Sequence, residues 1–240
     1  MSTRAIKQRF PGFVFASALL LGLVACQTSP PREESASPSA PGGFSIPPGS
    51  TEYRVSGPES TLQILVYRGG PMARLGHNHV IASHHLEGLV YATEDPLRTR
   101  FDVSFPVAEL TVDEPAMRAH AGADFANVVP QNARDGTRNN LLSAALLDGA
   151  NYPTIRLRAL DVLGAGDGYD VGVEITIKDQ VRTVRVPVTL RREGRALTAS
   201  GEFPLLQSAL GLKPFTAAMG ALAVVDEMQV RFEILAVGGQ

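Results

Sequence analysis

The sequence predicts an all-β protein: an extended antiparallel barrel of about eight strands, with short helices in one crossover between strands. Three observations carry this. From Thr51 onward the dominant hydrophobic period is two, the spacing of half-buried strands whose side chains alternate between faces. Gly- or Asp-bearing turns, Gly164-Ala165-Gly166-Asp167-Gly168 and Lys178-Asp179-Gln180, separate consecutive runs at hairpin spacing. The regular intervening helices of a parallel nucleotide-binding sheet are missing, as are a glycine-rich phosphate loop and a dinucleotide fingerprint.

The chain opens with Arg4, Lys7 and Arg9, then an uncharged apolar run from Phe10 to Ala25. At 16 residues this is the core of an export signal, short of the ~20 that a membrane-spanning helix needs. It ends in Leu23-Val24-Ala25-Cys26, which resembles a bacterial lipoprotein signal. That resemblance implies removal of residues 1–25 and acylation of Cys26, so that the acyl chains hold the protein on a membrane. Gln27, in place of Asp, implies sorting to the outer membrane, facing the periplasm. The alternative is an uncleaved apolar anchor with an incidental cysteine.

Composition narrows the partners. A single cysteine excludes a disulfide within the chain. The 240 residues carry 22 Lys plus Arg against 24 Asp plus Glu, without the basic excess of a phosphate-reading surface, so no nucleic acid is expected. Loss of residues 1–25 leaves 19 basic against 24 acidic residues, a net charge of −5. Residues 26–50, the lipidated cysteine and a Pro- and Ser-rich stretch with six prolines, read as a flexible tether. The other reading there is an ordered arm from Phe44 to Pro48 packed on the domain, which spans residues 51–240.

Within that domain the strand-like runs are 51–56, 60–68, 77–83, 86–93, 98–106, 154–163, 169–178, 181–191, 195–203 and 225–236, some of them halves of one bent strand. Leu62, Ile64 and Val66 alternate with Thr61, Gln63 and Leu65, and Phe101, Val103 and Phe105 with Arg100, Asp102 and Ser104. Val171, Val173, Ile175, Val186, Val188, Phe232 and Ile234 share this parity and complete the expected inward face. Arginines repeatedly take the outward position, as at Arg156 and Arg158, and read as solvated strand faces. Glu114–His120 and Arg138–Leu147 break the alternation and read as short helices that cap or flank the barrel, with a third around Leu205–Leu210.

Four of five histidines fall in Gly76-His77-Asn78-His79-Val80-Ile81-Ala82-Ser83-His84-His85. On an extended strand His77 and His79 point the same way, and with His120 they would supply metal ligands. Two other readings stay open: polar residues lining an apolar pocket, and structural hydrogen bonding. Covalent catalysis has little support, since no Gly-x-Ser-x-Gly elbow is present. The carboxylate pairs Glu33-Glu34 and Asp226-Glu227 read as solvated.

The ordered features resemble the YceI-like family of exported, lipocalin-like lipid-binding proteins. The resemblance rests on Tyr53-Arg54-Val55, the histidine strand leading to His85-Leu86-Glu87-Gly88-Leu89-Val90, Asn151-Tyr152-Pro153-Thr154-Ile155, Tyr169 through Lys178, Val184-Arg185-Val186-Pro187-Val188 and Leu210-Gly211-Leu212-Lys213. It implies a lipocalin-like barrel with a long apolar channel that takes a polyisoprenoid or comparable amphiphile without transforming it. Lys178-Asp179 stands where the family has a His-Gly pair, so no role for that histidine carries over. The doubled Gly-His-Asn-His element is richer than the family's single strand histidine.

The leading expectation is therefore non-enzymatic binding, carriage or sequestration of an amphipathic lipid in the cell envelope. Its pocket consists of the inward residues named above, with His77 and His79 at a polar region. A metal-binding protein or metal-dependent enzyme built on His77 and His79, and a structural lipoprotein domain that binds an envelope protein, are the alternatives. The expected partners are a membrane and a small apolar or amphipathic ligand, with a second copy of the chain as a further one. No cofactor is expected beyond a bound isoprenoid or lipid, or the metal of the alternative reading.

Overall fold

The computed structural model describes residues 44–239. The signal segment, Cys26 and most of the tether lie outside the described residues. In chain order the strands are β1 (Thr51–Val55), β2 (Thr61–Val66), β3 (Arg68–Gly69), β4 (His79–Ser83), β5 (Glu87–Ala92), β6 (Arg100–Pro106) and β7 (Thr111–Val112). After helices α1 (Pro115–Ala121) and α2 (Gln131–Leu142) come β8 (Thr154–Ala165), β9 (Gly168–Ile177), β10 (Gln180–Glu193), β11 (Ala196–Leu206), β12 (Thr216–Ala217), β13 (Leu222–Val224) and β14 (Glu227–Gly238).

Eight strands close a ring, in the order β1-β5-β6-β8-β9-β10-β11-β14 and back to β1. Every pairing in it is antiparallel. On the other half of β14 the sheet continues as β2-β4-β7. The two arrangements are one barrel whose first strands are broken midway. β1 and β2 run along the same edge of β14, Val55 opposite Ala236 and Thr61 opposite Glu233. β5 and β4 are likewise the two halves of the strand beside them, and β6 and β7 of the next.

The breaks nest against one another. A 3-10 turn at Gly57–Glu59 separates β1 from β2, and His84-His85-Leu86 separates β4 from β5. A Cβ at Gly57 would lie 2.7 Å from the Leu86 carbonyl oxygen and 3.1 Å from that of His84, so only glycine lets the two bends approach. Ser60 bridges the first break to β14: its hydroxyl donates to the Leu235 carbonyl and accepts from the Leu235 N–H at 3.0 Å.

The two long hairpins follow the turn chemistry. β8 and β9 meet through Gly166-Asp167, with Gly166 at positive φ, and β9 and β10 through Lys178-Asp179, with Lys178 at φ 55°. Arginines on the outward face pair across strands, Arg156 and Arg185 exposed and Arg158 and Arg231 half-buried: Arg156 with Asp102, Arg158 with Glu174 at 2.7 Å, Arg185 with Asp161 and Asp170, and Arg231 with Glu202 at 2.9 Å.

Several elements differ from the sequence reading. The second helix starts at Gln131, after Pro130, and stops at Leu142. Ser143 is extended, and Leu147 folds back so that its N–H donates to the Leu141 carbonyl, which buries Leu147 in a turn. The apolar run Leu141–Leu147 therefore marks the last two helical residues plus a packed loop. The outward side of β2 and β4 is not solvated. Leu65 and Val80 pack with Ala121 and Phe125 beneath α1, and Gln63 donates to the sulfur of Met117. Residues from Leu205 continue β11, so the expected third helix is a single turn at Ser208–Leu210. A small sheet, β12-β13-β3, has no counterpart among the expected strands. At the start of the domain the Phe44 ring tilts against Tyr91, centroids 6.0 Å apart, as the ordered-arm reading requires.

Candidate functional site

Strand parity aims one face of every long strand into the barrel, and the interior is hollow: a cavity of about 450 Å³ runs along it. Leu62, Ile64 and Val66 line it from β2, Phe101, Val103 and Phe105 from β6, and Val171, Val173 and Ile175 from β9. Val186 and Val188 of β10 and Phe232 and Ile234 of β14 complete the wall, and His77 and His79 face the same space. Phe101, Val188, Phe232 and Ile234 belong to the core cluster and yet keep part of their surface accessible. A cavity beside them explains this, since a filled core would bury them completely.

The lining is almost wholly apolar, and most of its polar residues concentrate at one end, with Thr99 and Tyr169 at the other. Arg68, His77, His79, Thr137, Asn140 and Gln207 gather where the crossover helices and the loops after β2 and β11 meet. Among the described lining residues, those that remain exposed are Arg68, Asn140 and Phe215, all at this end. The cavity therefore opens here.

His79 is held by a buried charge network. Its Nδ1–H donates to Asp113 Oδ2 at 2.6 Å, and its Nε2 lies 3.2 Å from Thr137 Oγ1 on α2. Asp113, 1% exposed, also accepts from the Val80 N–H at 2.9 Å and from Arg118 Nη1 at 2.5 Å. Arg118 in turn donates to the Asn78 and Asn127 carbonyls and stacks over Phe125. Burial pushes the Asp113 carboxyl upward. The hydrogen bonds from His79 and the Val80 N–H, the charge attraction to His79 and the Arg118 hydrogen bond outweigh it, so Asp113 sits below the ordinary carboxylate value. With Nδ1 engaged, Nε2 is the nitrogen that faces the cavity.

Of the remaining histidines only His77 shares this space. The His77 ring lies 6.1 Å from that of His79. His84 meets Glu114 at 3.3 Å and His85 meets Glu109 at 3.9 Å. His120 is exposed and donates to the Ala116 carbonyl of its own helix. Among the described residues no three His, Cys, Asp or Glu side chains converge on a metal-binding geometry, so the structure does not bring His120 to His77 and His79.

The family model of the YceI-like domain matches residues 77–236. The chain belongs to the YceI-like family. Among solved structures it is similar to BcnA of Burkholderia cenocepacia, at 19% identity and a TM-score of 0.56, covering 76% of this chain and 99% of that one. It is also similar to the YCEI protein of Campylobacter jejuni, at 10% identity and a TM-score of 0.45, covering 65% of this chain and 81% of that one. No curated protein sequence matches.

Parity alone would also have reached further wall residues of this YceI-like barrel, such as Leu157, Leu190 and Val230. Asp113, Arg118, Thr137, Asn140 and Phe215 carry no such signal. They lie in the crossover or in loops, and Asp113 meets His79 across 34 residues of chain.

Proposed function

We propose that this protein binds and carries, or sequesters, a polyisoprenoid or comparable amphipathic lipid in the bacterial cell envelope, without transforming it. The observation that supports this most is the long apolar cavity of about 450 Å³, within the range of small-molecule sites, with most of its polar lining residues gathered at the open end. An amphiphile enters tail first. Its chain lies along Phe101, Val173, Val188 and Phe232, and its head group meets His79 Nε2, Thr137, Asn140 and Arg68 at the mouth. His79 is oriented for this by Asp113, which fixes the ring through Nδ1. The Leu-Val-Ala-Cys motif supports acylation of Cys26, which would hold the barrel at the outer membrane on its periplasmic side.

Gentle purification, organic extraction and mass spectrometry test the carrier reading. A stoichiometric isoprenoid or lipid is expected in the extract. Its absence, together with no uptake of added isoprenoid, would sink the reading.

A further inference from the structure

At the mouth of the cavity lies a small flap. It comprises β12, β13 and β3, the loop Gly70–Gly76 and the loop Lys213–Gly220. The two chain segments are stitched together: the Met72 N–H donates to the Ala221 carbonyl at 2.9 Å and the Val225 N–H to the Tyr67 carbonyl at 2.8 Å. A Cβ on Gly70 would lie 2.7 Å from the Ala221 carbonyl oxygen. Inside, Phe215, Leu222 and Val224 of the flap line the cavity.

The outer side of the flap is unusual for a soluble surface. Met219 is fully exposed at 107%, Leu75 is 57% exposed and Phe215 40%, with Met72 and Val225 beside them. Met219 is presented by strained backbone: Ala218 and Met219, neither of them glycine, sit at φ 49° and 54°. Phe215 belongs to both sides, so the apolar path from the flap surface into the cavity is continuous. The charge pattern is one-sided. Residues 67–78 and 208–225 contain Arg68, Arg74 and Lys213 and no Asp or Glu, in a mature chain of net charge −5. Asp226, at the foot of the flap, is turned to the Ser208 hydroxyl and N–H.

We propose that this flap is a membrane-docking surface. Met219, Leu75 and Phe215 enter the headgroup layer, and Arg68, Arg74 and Lys213 pair with anionic phospholipid. The cavity mouth is thereby placed on the bilayer, so that an amphiphile passes between membrane and barrel without crossing water. This rests on the carrier reading for its purpose, and on the exposed apolar tip and the acid-free basic loops for its geometry. Basic residues combined with apolar insertion are the composition that binds an anionic interface. Although the domain begins at the opposite rim, near Tyr91, the chain from Cys26 to Phe44 can extend to about 60 Å. That exceeds the ~40 Å length of the 12-residue β14, so an acylated N-terminus leaves the flap free to reach the same membrane.

The chain contains no tryptophan, so a single Met219→Trp substitution is a lone reporter at a side chain outside the core. The mature full-length chain is reconstituted on vesicles of phosphatidylcholine with phosphatidylglycerol, and on phosphatidylcholine alone. On the anionic vesicles the Met219→Trp emission is expected to shift to the blue and to be quenched by brominated acyl chains. Leu163→Trp, exposed beside the β8–β9 turn at the opposite rim, keeps the emission of indole in water. Replacing Arg68, Arg74 and Lys213 by Gln lowers docking roughly 100-fold, since each basic residue near an anionic surface contributes about fivefold. Water-like emission from Met219→Trp on anionic vesicles, or equal quenching at Leu163→Trp, overturns the proposal. Lipid extraction reads separately: a bound lipid with an undocked Met219→Trp overturns the docking surface alone, and docking of a barrel that never holds lipid overturns the carrier reading alone.

Discussion

Replacing Asp113 by alanine removes the buried carboxylate beneath the histidine strand and adds the strain of a left-handed alanine at φ 56°. It removes the acceptor of His79 Nδ1, the Val80 N–H and Arg118 Nη1 in one step. The Arg118 side chain is only 10% exposed, so its charge stays buried with backbone carbonyls as its remaining partners. Breaking a buried ion pair from one side costs about 3–5 kcal/mol. Against a typical domain stability of about 5–15 kcal/mol this is a large loss, equivalent to a drop of roughly 6–20 °C in Tm. Asp113→Asn should cost distinctly less, because asparagine keeps an acceptor for the Val80 N–H and tolerates the φ of 56° at this position.

Acid sharpens the same test. The folded Asp113 value lies below the ordinary one, so its contribution is fully present above the unfolded value of about 3.9 and is lost as pH falls through the folded value. Stability should therefore fall more steeply on acidification in the parent than in Asp113→Asn. Urea unfolding followed by circular dichroism, at neutral pH and across the acid range, measures both effects. A loss below about 1 kcal/mol for Asp113→Ala, or parallel acid profiles for the parent and Asp113→Asn, would refute the assignment of a stabilising buried pair.

Three further outcomes follow from the same geometry. Ala199→Phe places a ring in the cavity from β11, and is expected to abolish lipid retention in mass spectrometry while the far-ultraviolet circular dichroism stays native. Gly57→Ala forces a methyl group against the Leu86 carbonyl and should destabilise the barrel by about 1–3 kcal/mol in urea unfolding, by pushing the two nested strand breaks apart. Cys26→Ser should abolish incorporation of labelled fatty acid and move the protein out of the washed membrane fraction; retention of label would place the acyl chain elsewhere.

Much of the barrel is legible because a strand writes its orientation into the chain. The alternation at Leu62-Ile64-Val66, Phe101-Val103-Phe105 and Val171-Val173-Ile175 identifies the cavity face without knowledge of what lies opposite. The hairpin at Lys178-Asp179 is equally local. The second helix is harder to place, because Gln131–Asn140 is a polar helix with little apolar periodicity. Its only clear apolar signal, Leu141–Leu147, extends past the helix into a turn that packs for tertiary reasons. The small flap sheet escapes too, since strands of two or three residues have no measurable period.

By itself, then, the sequence determined the β class and the inward set of each long strand, both of which are encoded within a few consecutive residues. Only the tertiary structure decided which broken strands join, that the interior is hollow, and that Asp113 and Arg118 lie beneath His79 while Met219 stands exposed on the flap at the mouth. The physical reason is that alternation reports which face a side chain occupies. Whether that face meets another side chain, a cavity or water depends on segments that approach from far along the chain.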